Sequence, residues 1–167
     1  MTNVKLWIVN EAELKSVAAA LAPLAAGLVA ISLEGPLGAG KTTFARHFAR
    51  ALGVAAPVAS PTFTLQRIYP VPGGGPVERL VHYDWYRLSG PDDLRELGFG
   101  DMGDGALEIV EWGDRFADRL PAGTLRVSLF PGEHGPEAPA RRLDFRFAEA
   151  SQASRFRSAL GGVAVIG

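Results

Sequence analysis

The sequence predicts an α/β fold with a mostly parallel central sheet and antiparallel edge strands. Two short apolar segments, "LVAISL" at 28–33 and "ALEIV" at 106–110, have the near-continuous hydrophobicity of buried parallel strands. Segments with helical periodicity alternate with such strands along the chain. This alternation favours a three-layer sandwich, in which helices cover both faces of one sheet.

Length and composition indicate a single folded domain. The chain has 167 residues, of which 47% are hydrophobic and 21% charged, as in ordinary globular proteins. We assign residues 1–160 to the domain and residues 161–167 to a C-terminal tail that is free to fray. The net charge of -1 predicts no strong non-specific attraction to nucleic acid or lipid. The absence of cysteine excludes disulfides and thiolate zinc sites, and it fits a cytoplasmic protein.

An uncharged stretch at 16–33 resembles a membrane span in length only. Pro23 and Gly27 interrupt it, and much of it is alanine. Glu11 and Glu13 precede it, where a secretory signal would carry positive charge. Helix, turn and strand are therefore predicted there, and no membrane association is expected.

The first half of the chain predicts a helix, a strand and a second helix. Asn10 followed by Glu13 is typical of a helix N-terminus, and Leu14 begins an apolar repeat at helical spacing. After the strand at 28–33, a second helix is expected from Lys41 to Leu52, where Gly53 would end it.

The second half predicts shorter elements in mixed order. Alternating polarity, turn residues and apolar runs indicate strands at 62–70, 77–86, 106–110, 124–130 and 142–147, and helices at 89–97, 114–120 and 151–160. A glycine-rich connector spans 98–105.

The segment "GPLGAGKT" at 35–42 has the spacing G-x-x-x-x-G-K-[ST] of a phosphate-binding loop, between a predicted strand and a predicted helix. Glycines allow successive N–H groups to point at one anion, and the helix N-terminus adds its free donors. Lys41 is expected to reach the β- and γ-phosphates, and the Thr42 hydroxyl to bind Mg²⁺. The predicted nucleotide-binding residues are Gly35, Leu37, Gly38, Ala39, Gly40, Lys41, Thr42 and Thr43.

Two acids are candidates for the remaining metal chemistry. Asp84 lies late in "LVHYDWYRL", where His82 and Tyr86 project to the same side, and Glu111 follows a buried strand. Either carboxylate is able to hold Mg²⁺ while the other orients the attacking water, and the residues alone do not separate these assignments. Asp84 also has a purely structural alternative as a salt bridge with Arg87.

Two hydroxyls precede the next strand, in "SPTFTL" at 60–65. Ser60 and Thr62 are either switch residues that respond to a γ-phosphate or ordinary turn and strand-start residues. The chain has no Asn-Lys-x-Asp segment for reading guanine, which favours ATP over GTP.

Four segments together, "GPLGAGKTTF", "SPTFTL", "HYDWYRL" and "VEW", resemble the TsaE family in order and separation. The resemblance covers about residues 5–130. It implies a P-loop NTPase-like fold with weak intrinsic ATP hydrolysis. It also implies partnership with TsaB and TsaD in threonylcarbamoyladenosine modification of tRNA, where hydrolysis resets the complex and tRNA is met only through the partners.

The resemblance also assigns roles by position. Thr43 joins the catalytic set as a further loop hydroxyl, together with Lys41, Asp84, Glu111 and Trp112. Metal binding falls to Thr42, Asp84 and Glu111, and switch-like behaviour to Ser60, Thr62 and His82. Glu11, Arg141 and Arg142 are loose candidates for holding adenine. The family usually has an acid where this chain has Pro36, so a contact made by that acid is not expected here.

Two other functions compete with this interpretation. A small P-loop kinase would phosphorylate a metabolite and would need an arginine-bearing lid, for which only "DRFADRL" at 114–120 is a candidate. A nucleotide-gated binding protein would hold ATP without turnover. Lys41, Thr42 and two spare acids argue against such an inactive site.

Overall fold

The fold is built on one eight-stranded sheet. The computed structural model describes residues 1–132, 141–163 and 165–166. In sheet order β3-β4-β5-β2-β6-β7-β1-β8, the strands are β3 Gln66–Pro70, β4 Arg79–Asp84, β5 Ala106–Glu111, β2 Ala30–Glu34, β6 Leu125–Phe130, β7 Arg141–Phe147, β1 Thr2–Ile8 and β8 Val165–Ile166. The site described below lies where the central strands end.

The middle of the sheet is parallel and its outer parts are antiparallel, as predicted. β4, β5, β2 and β6 run parallel to one another, and β3, β7, β1 and β8 pair antiparallel with their neighbours. Parallel strands bring their carboxyl ends to a single edge of a sheet, and ligands of open α/β folds bind outside that edge. The predicted α/β class is thereby confirmed.

Three helices cover one face of the sheet. They are α1 (Glu11–Leu21), α2 (Lys41–Ala51) and α4 (Ala150–Ala159), and a 3-10 helix at Ala22–Gly27 extends α1. Phe44 and Phe48 of α2 and Phe156 of α4 are fully buried in this core. The predicted cap of α1 is present, because the Asn10 side chain accepts a hydrogen bond from the Glu13 N–H at 2.9 Å.

On the opposite face, the described helices cover only the β4–β5 part. There α3 (Pro91–Glu96) and a 3-10 helix at Gly113–Arg119 pack on a second apolar cluster that includes Tyr83 and Trp85. Farther along this face, Glu34 accepts hydrogen bonds from Arg126 and Arg146. The helical layer on this side is therefore thinner than a symmetric sandwich would have.

The structure corrects three predictions of local structure. The strand predicted from Thr62 begins only at Gln66, because residues 62–65 form a turn that ends with Leu65 at a φ of 62°. β1 was not predicted. Val165–Ile166, in the tail expected to fray, pairs with β1 (residues 164 and 167 lie outside the described part).

The helices are short compared with a lipid bilayer. α1 and α2 have 11 residues each, whereas a membrane span needs about 20. In the described ranges, no helix has the length and apolar character to cross a membrane.

Candidate functional site

A cleft of about 330 Å³ opens at the carboxyl ends of β2, β4 and β5. Residues from five segments line it: the glycine-rich loop 35–42 with the start of α2, the turn at 60–62, the end of β4, the end of β5 and the start of β7. The lining residues are Leu37, Gly38, Gly40, Lys41, Thr42, Thr43, Ser60, Thr62, Asp84, Tyr86, Glu111, Trp112 and Arg141.

The backbone of the glycine-rich loop takes a course that needs glycine. Gly38 and Gly40 have φ values of 77° and 102°, in the region that residues with a Cβ rarely enter. A side chain at Gly35 would also meet the carbonyl oxygen of Leu129. α2 begins directly after Gly40, so the N–H groups of its first turn have no partners within the helix and lie at the cleft.

Lys41 is a buried cation that forms no salt bridge with any acid in the described part of the chain. Its residue is only 4% exposed, and Nζ donates hydrogen bonds to the carbonyl oxygens of Gly35 at 2.7 Å and Pro36 at 2.9 Å. Burial lowers the pKa of this ammonium group, while Glu111 is the first of three nearby acids that act in the opposite direction. Bound phosphate would supply the missing negative charge.

The Glu111 side chain, at the end of β5, contacts residues of α2 and β4. Thr42 Oγ1 lies 2.9 Å from each of its carboxylate oxygens, and His82 Nε2 lies 2.9 Å from Oε1. His82 itself is fully buried and does not line the cleft, in contrast to its predicted switch-like placement. The hydroxyl predicted to bind metal thus contacts one of the two predicted acids.

Asp84 stands beside Glu111 on the adjacent strand end, since the two residues are register partners between β4 and β5. Its Oδ2 accepts a hydrogen bond from Thr62 Oγ1 at 2.6 Å, and its Oδ1 accepts one from the Tyr86 N–H at 2.9 Å. Ser60 Oγ is 2.5 Å from the Thr62 hydroxyl. Arg87, the alternative partner of Asp84, lies over the ring of Phe63 instead.

The backbone of Trp112 is in the left-handed region, and its ring lies against the ammonium group of Lys41. Its φ of 64° is unusual for a bulky residue. Lys41 Nζ lies 3.7 Å from the centroid of the Trp112 ring, within the range of a cation–π interaction. The centroids of the Tyr86 and Trp112 rings are 4.9 Å apart. Trp112 and Tyr86 thereby form an aromatic wall of the cleft.

A second, smaller cleft of about 120 Å³ adjoins the first. Its lining is Ile8, Val9, Asn10, Glu11, Leu14, Thr43 and Arg141, and the last two residues line both clefts. Arg141 reaches the loop, since its Nη1 lies 3.4 Å from the Ala39 carbonyl oxygen. Glu11 pairs with His47 at 3.0 Å.

Some predicted site residues lie outside both clefts. Arg142 points elsewhere, pairing with Asp144 at 3.1 Å and lying over Phe130. Gly35 and Ala39 shape the loop without lining the cleft. Tyr86 was not predicted as a site residue, although its alternation with Asp84 indicated the same side of the strand.

The side-chain oxygens in the larger cleft suit a magnesium ion that also binds a phosphate compound. The described residues contain no group of three or more His, Asp or Glu side chains that would form a metal cage of their own. Mg²⁺ typically keeps several waters and binds one or two carboxylates together with substrate phosphates. A threonine hydroxyl and two carboxylates fit that pattern.

The fold and the cleft place the chain in a class of α/β proteins that have a glycine-rich strand-to-helix loop at the carboxyl edge of a parallel sheet. The family model "Threonylcarbamoyl adenosine biosynthesis protein TsaE" matches residues 8–141. The chain therefore belongs to the TsaE family, which serves tRNA threonylcarbamoyladenosine biosynthesis.

Individual relatives agree with this assignment. A TsaE protein of Bacillus subtilis is 37% identical over 130 residues, which cover 77% of this chain and 78% of the relative. One from Streptomyces coelicolor is 41% identical over 59% of this chain, and the match spans only 66% of the relative's length. The crystal structure of Bacillus subtilis YdiB superposes with a TM-score of 0.68 at 28% identity, covering 95% of this chain and 94% of YdiB.

Proposed function

We propose that the chain is a magnesium-dependent ATPase subunit required for threonylcarbamoyladenosine modification of tRNA. The observation that carries this proposal is the position of the buried Lys41 in a cleft whose walls also hold Asp84 and Glu111. A buried ammonium group whose hydrogen bonds go to the carbonyl oxygens of the loop favours an anionic ligand. Two carboxylates beside it suit the chemistry of a terminal phosphate and its metal.

The residues divide the work of hydrolysis. Water attacks the γ-phosphorus, the bond to the β–γ bridging oxygen breaks, and ADP and phosphate leave. The loop N–H groups and Lys41 hold the phosphates, and Glu111 or Asp84 orients the attacking water and accepts its proton. Thr42 and one of the two acids would hold magnesium, which would supply positive charge to the phosphate oxygens.

The smaller cleft is the proposed adenosine site. It adjoins the phosphate cleft through Thr43 and Arg141, so one extended nucleotide would span both. Glu11 lines it, whereas Arg142 is withdrawn from the proposed contacts because it faces Phe130 and Asp144.

The proposed partners are TsaB and TsaD, with tRNA reached only through them in the cytoplasm. Apolar side chains beside the cleft are unusually exposed: Leu37 is 82% exposed, and Phe63, in the adjoining turn, is 85% exposed. Exposed apolar groups of this kind are typical of protein interaction sites. Docking of a partner there would shield the cleft from water and stimulate a weak intrinsic activity.

The kinase alternative has less support. Arg115 donates to the Leu88 carbonyl and Arg119 pairs with Asp118, so neither arginine of the candidate lid lines the cleft. A binding protein without turnover would not need the paired acids at the cleft. Both alternatives remain separable by experiment.

Phosphate release is the test of the proposed function. The purified chain is incubated with ATP and Mg²⁺, alone and with TsaB, TsaD and tRNA, and a parallel reaction contains a panel of metabolites. We expect slow phosphate release that the partners accelerate, and no phosphorylated small molecule. A phosphorylated metabolite would favour the kinase, and bound ATP without any release would favour the gated binding protein.

A further inference from the structure

His82 contacts Glu111, a proposed catalytic residue, from the protein interior. It is fully buried on β4, and its Nε2 lies 2.9 Å from Oε1 of Glu111. It is absent from the lining of the cleft, so a nucleotide there would not touch it. Any influence on the reaction must therefore pass through Glu111.

The pairing fixes which ring nitrogen donates. An ionised carboxylate only accepts hydrogen bonds, so Nε2 of His82 carries the hydrogen that points to Glu111. The other ring nitrogen, Nδ1, has no hydrogen-bond partner within the described part of the chain. Among the described residues, the ring of His82 therefore has a hydrogen-bond partner only in Glu111.

Two side chains, Thr42 and His82, lie within hydrogen-bond distance of Glu111. Thr42 also has a proposed role in metal binding. The Thr42 hydroxyl, which has one hydrogen to donate, lies 2.9 Å from both carboxylate oxygens, and it is also the proposed metal ligand. His82 is the partner of Glu111 that has no part in the proposed metal binding.

We propose that His82 is a positioning residue for Glu111. Its Nε2–H anchors Oε1 and thereby orients the carboxylate toward the cleft. This inference rests on the proposed ATPase function. Because His82 does not reach the nucleotide, its loss should lower kcat about 10- to 100-fold, the range usual for residues that orient a ligand or base. ATP affinity should stay within about twofold of wild type.

Two amide variants separate positioning from bulk packing. His82→Gln places an amide nitrogen as many bonds from Cα as Nε2, whereas His82→Asn places one only as far as Nδ1. We expect His82→Gln to retain most of kcat and His82→Asn to lose it. Tyr83→Phe is the matched control, because it removes a buried hydrogen bond to Glu108 on the opposite face of β4. It should leave kcat unchanged.

Coupling to Glu111 is measured with a double-mutant cycle. His82→Asn should have no further effect on kcat in a Glu111→Ala background, and the two changes should also be non-additive in urea unfolding midpoints. A wild-type kcat in His82→Asn, or additive effects, would overturn the proposal. If His82→Asn fails to fold, a tenfold or larger loss of kcat in folded His82→Gln would do the same.

The same measurements distinguish this proposal from the proposed function. A wild-type protein that binds no ATP and releases no phosphate would refute the ATPase, while the unfolding cycle would still report the His82–Glu111 interaction. An active wild type with additive effects would refute only the role of His82.

Discussion

Thr42 Oγ1 lies 2.9 Å from both carboxylate oxygens of Glu111, linking the first turn of α2 to the end of β5. The two residues are 69 positions apart in the chain. The parallel sheet brings them together because β2, which leads into the glycine-rich loop, is the direct neighbour of β5. This contact connects the loop that would hold phosphate with an acid that would act on it.

Lys41→Ala should abolish useful nucleotide binding. The side chain is a buried donor at the loop, and a charge-assisted hydrogen bond contributes about 1.5–3 kcal/mol. We therefore expect at least about a 100-fold loss of ATP affinity, since two or more phosphate oxygens lose their donor. Titration with a fluorescent ATP analogue measures the loss.

Lys5→Ala is the matched control for this variant, because Lys5 is an exposed lysine on β1. Its affinity should equal that of wild type. If Lys41→Ala binds ATP as tightly as Lys5→Ala does, the loop does not hold the phosphates.

Arg141→Ala should weaken ATP binding about tenfold, the loss of one charge-assisted contact. Arg141 lines both clefts, whereas its neighbour Arg142 faces Phe130. Arg142→Ala is consequently the matched control and should change affinity less than twofold. Isothermal titration calorimetry compares the two proteins, and equal losses in both would remove Arg141 from the site.

Asp84→Asn should reduce the effect of magnesium on nucleotide binding. The carboxylate is proposed as a metal ligand or as the base beside it, and loss even of a residue that only orients a metal ligand typically lowers metal affinity about 10- to 100-fold. We expect unchanged ATP binding in EDTA and a right-shifted magnesium dependence. Asp92→Asn, at an exposed acid paired with Arg95, should behave like wild type. An unshifted magnesium curve for Asp84→Asn would exclude direct coordination.

Glu108 predicts a pH dependence of stability that is separate from the cleft. Burial raises the pKa of this carboxyl group, against the smaller opposing effect of its hydrogen bond from Gly100. The folded state therefore binds a proton more tightly than the unfolded state does. Stability should fall as the pH rises from about 4.5, the ordinary value, through the raised native pKa.

Replacement by glutamine removes this titration. The unfolding free energy of Glu108→Gln, measured by urea denaturation between about pH 4 and pH 8, should decline less over that interval than the wild-type value does. Parallel curves for the two proteins would show that Glu108 titrates alike in the folded and unfolded states.

Much of the fold followed from local patterns, and the misses have identifiable causes. The spacing of Gly35, Gly40 and Lys41 predicted a strand-to-helix loop because few other local structures require glycine and lysine at these positions. The turn at 62–65 was missed because its residues alternate between polar and apolar side chains, as strand residues do. The turn contacts Asp84 instead: Thr62 donates a hydrogen bond to that carboxylate, which lies 22 positions away in the chain.

The site was predictable where chemistry was written into residue type, and not where it depended on tertiary contact. The acids Asp84 and Glu111 stood out as carboxylates after apolar runs. The placement of Arg141 against the loop, rather than Arg142, depends on which side of β7 each residue faces and on the pairing of β7 with β6. Local periodicity gave the alternation but not the face that meets α2.

Single-turnover phosphate release by Glu111→Ala, with ATP affinity measured on the same sample, shows whether Glu111 acts on bound ATP. We expect affinity within a few-fold of wild type and a hydrolysis rate lower by about 100-fold, in the range of general-base losses. Wild-type hydrolysis in this variant, or a loss of affinity equal to that of Lys41→Ala, would exclude this role for Glu111.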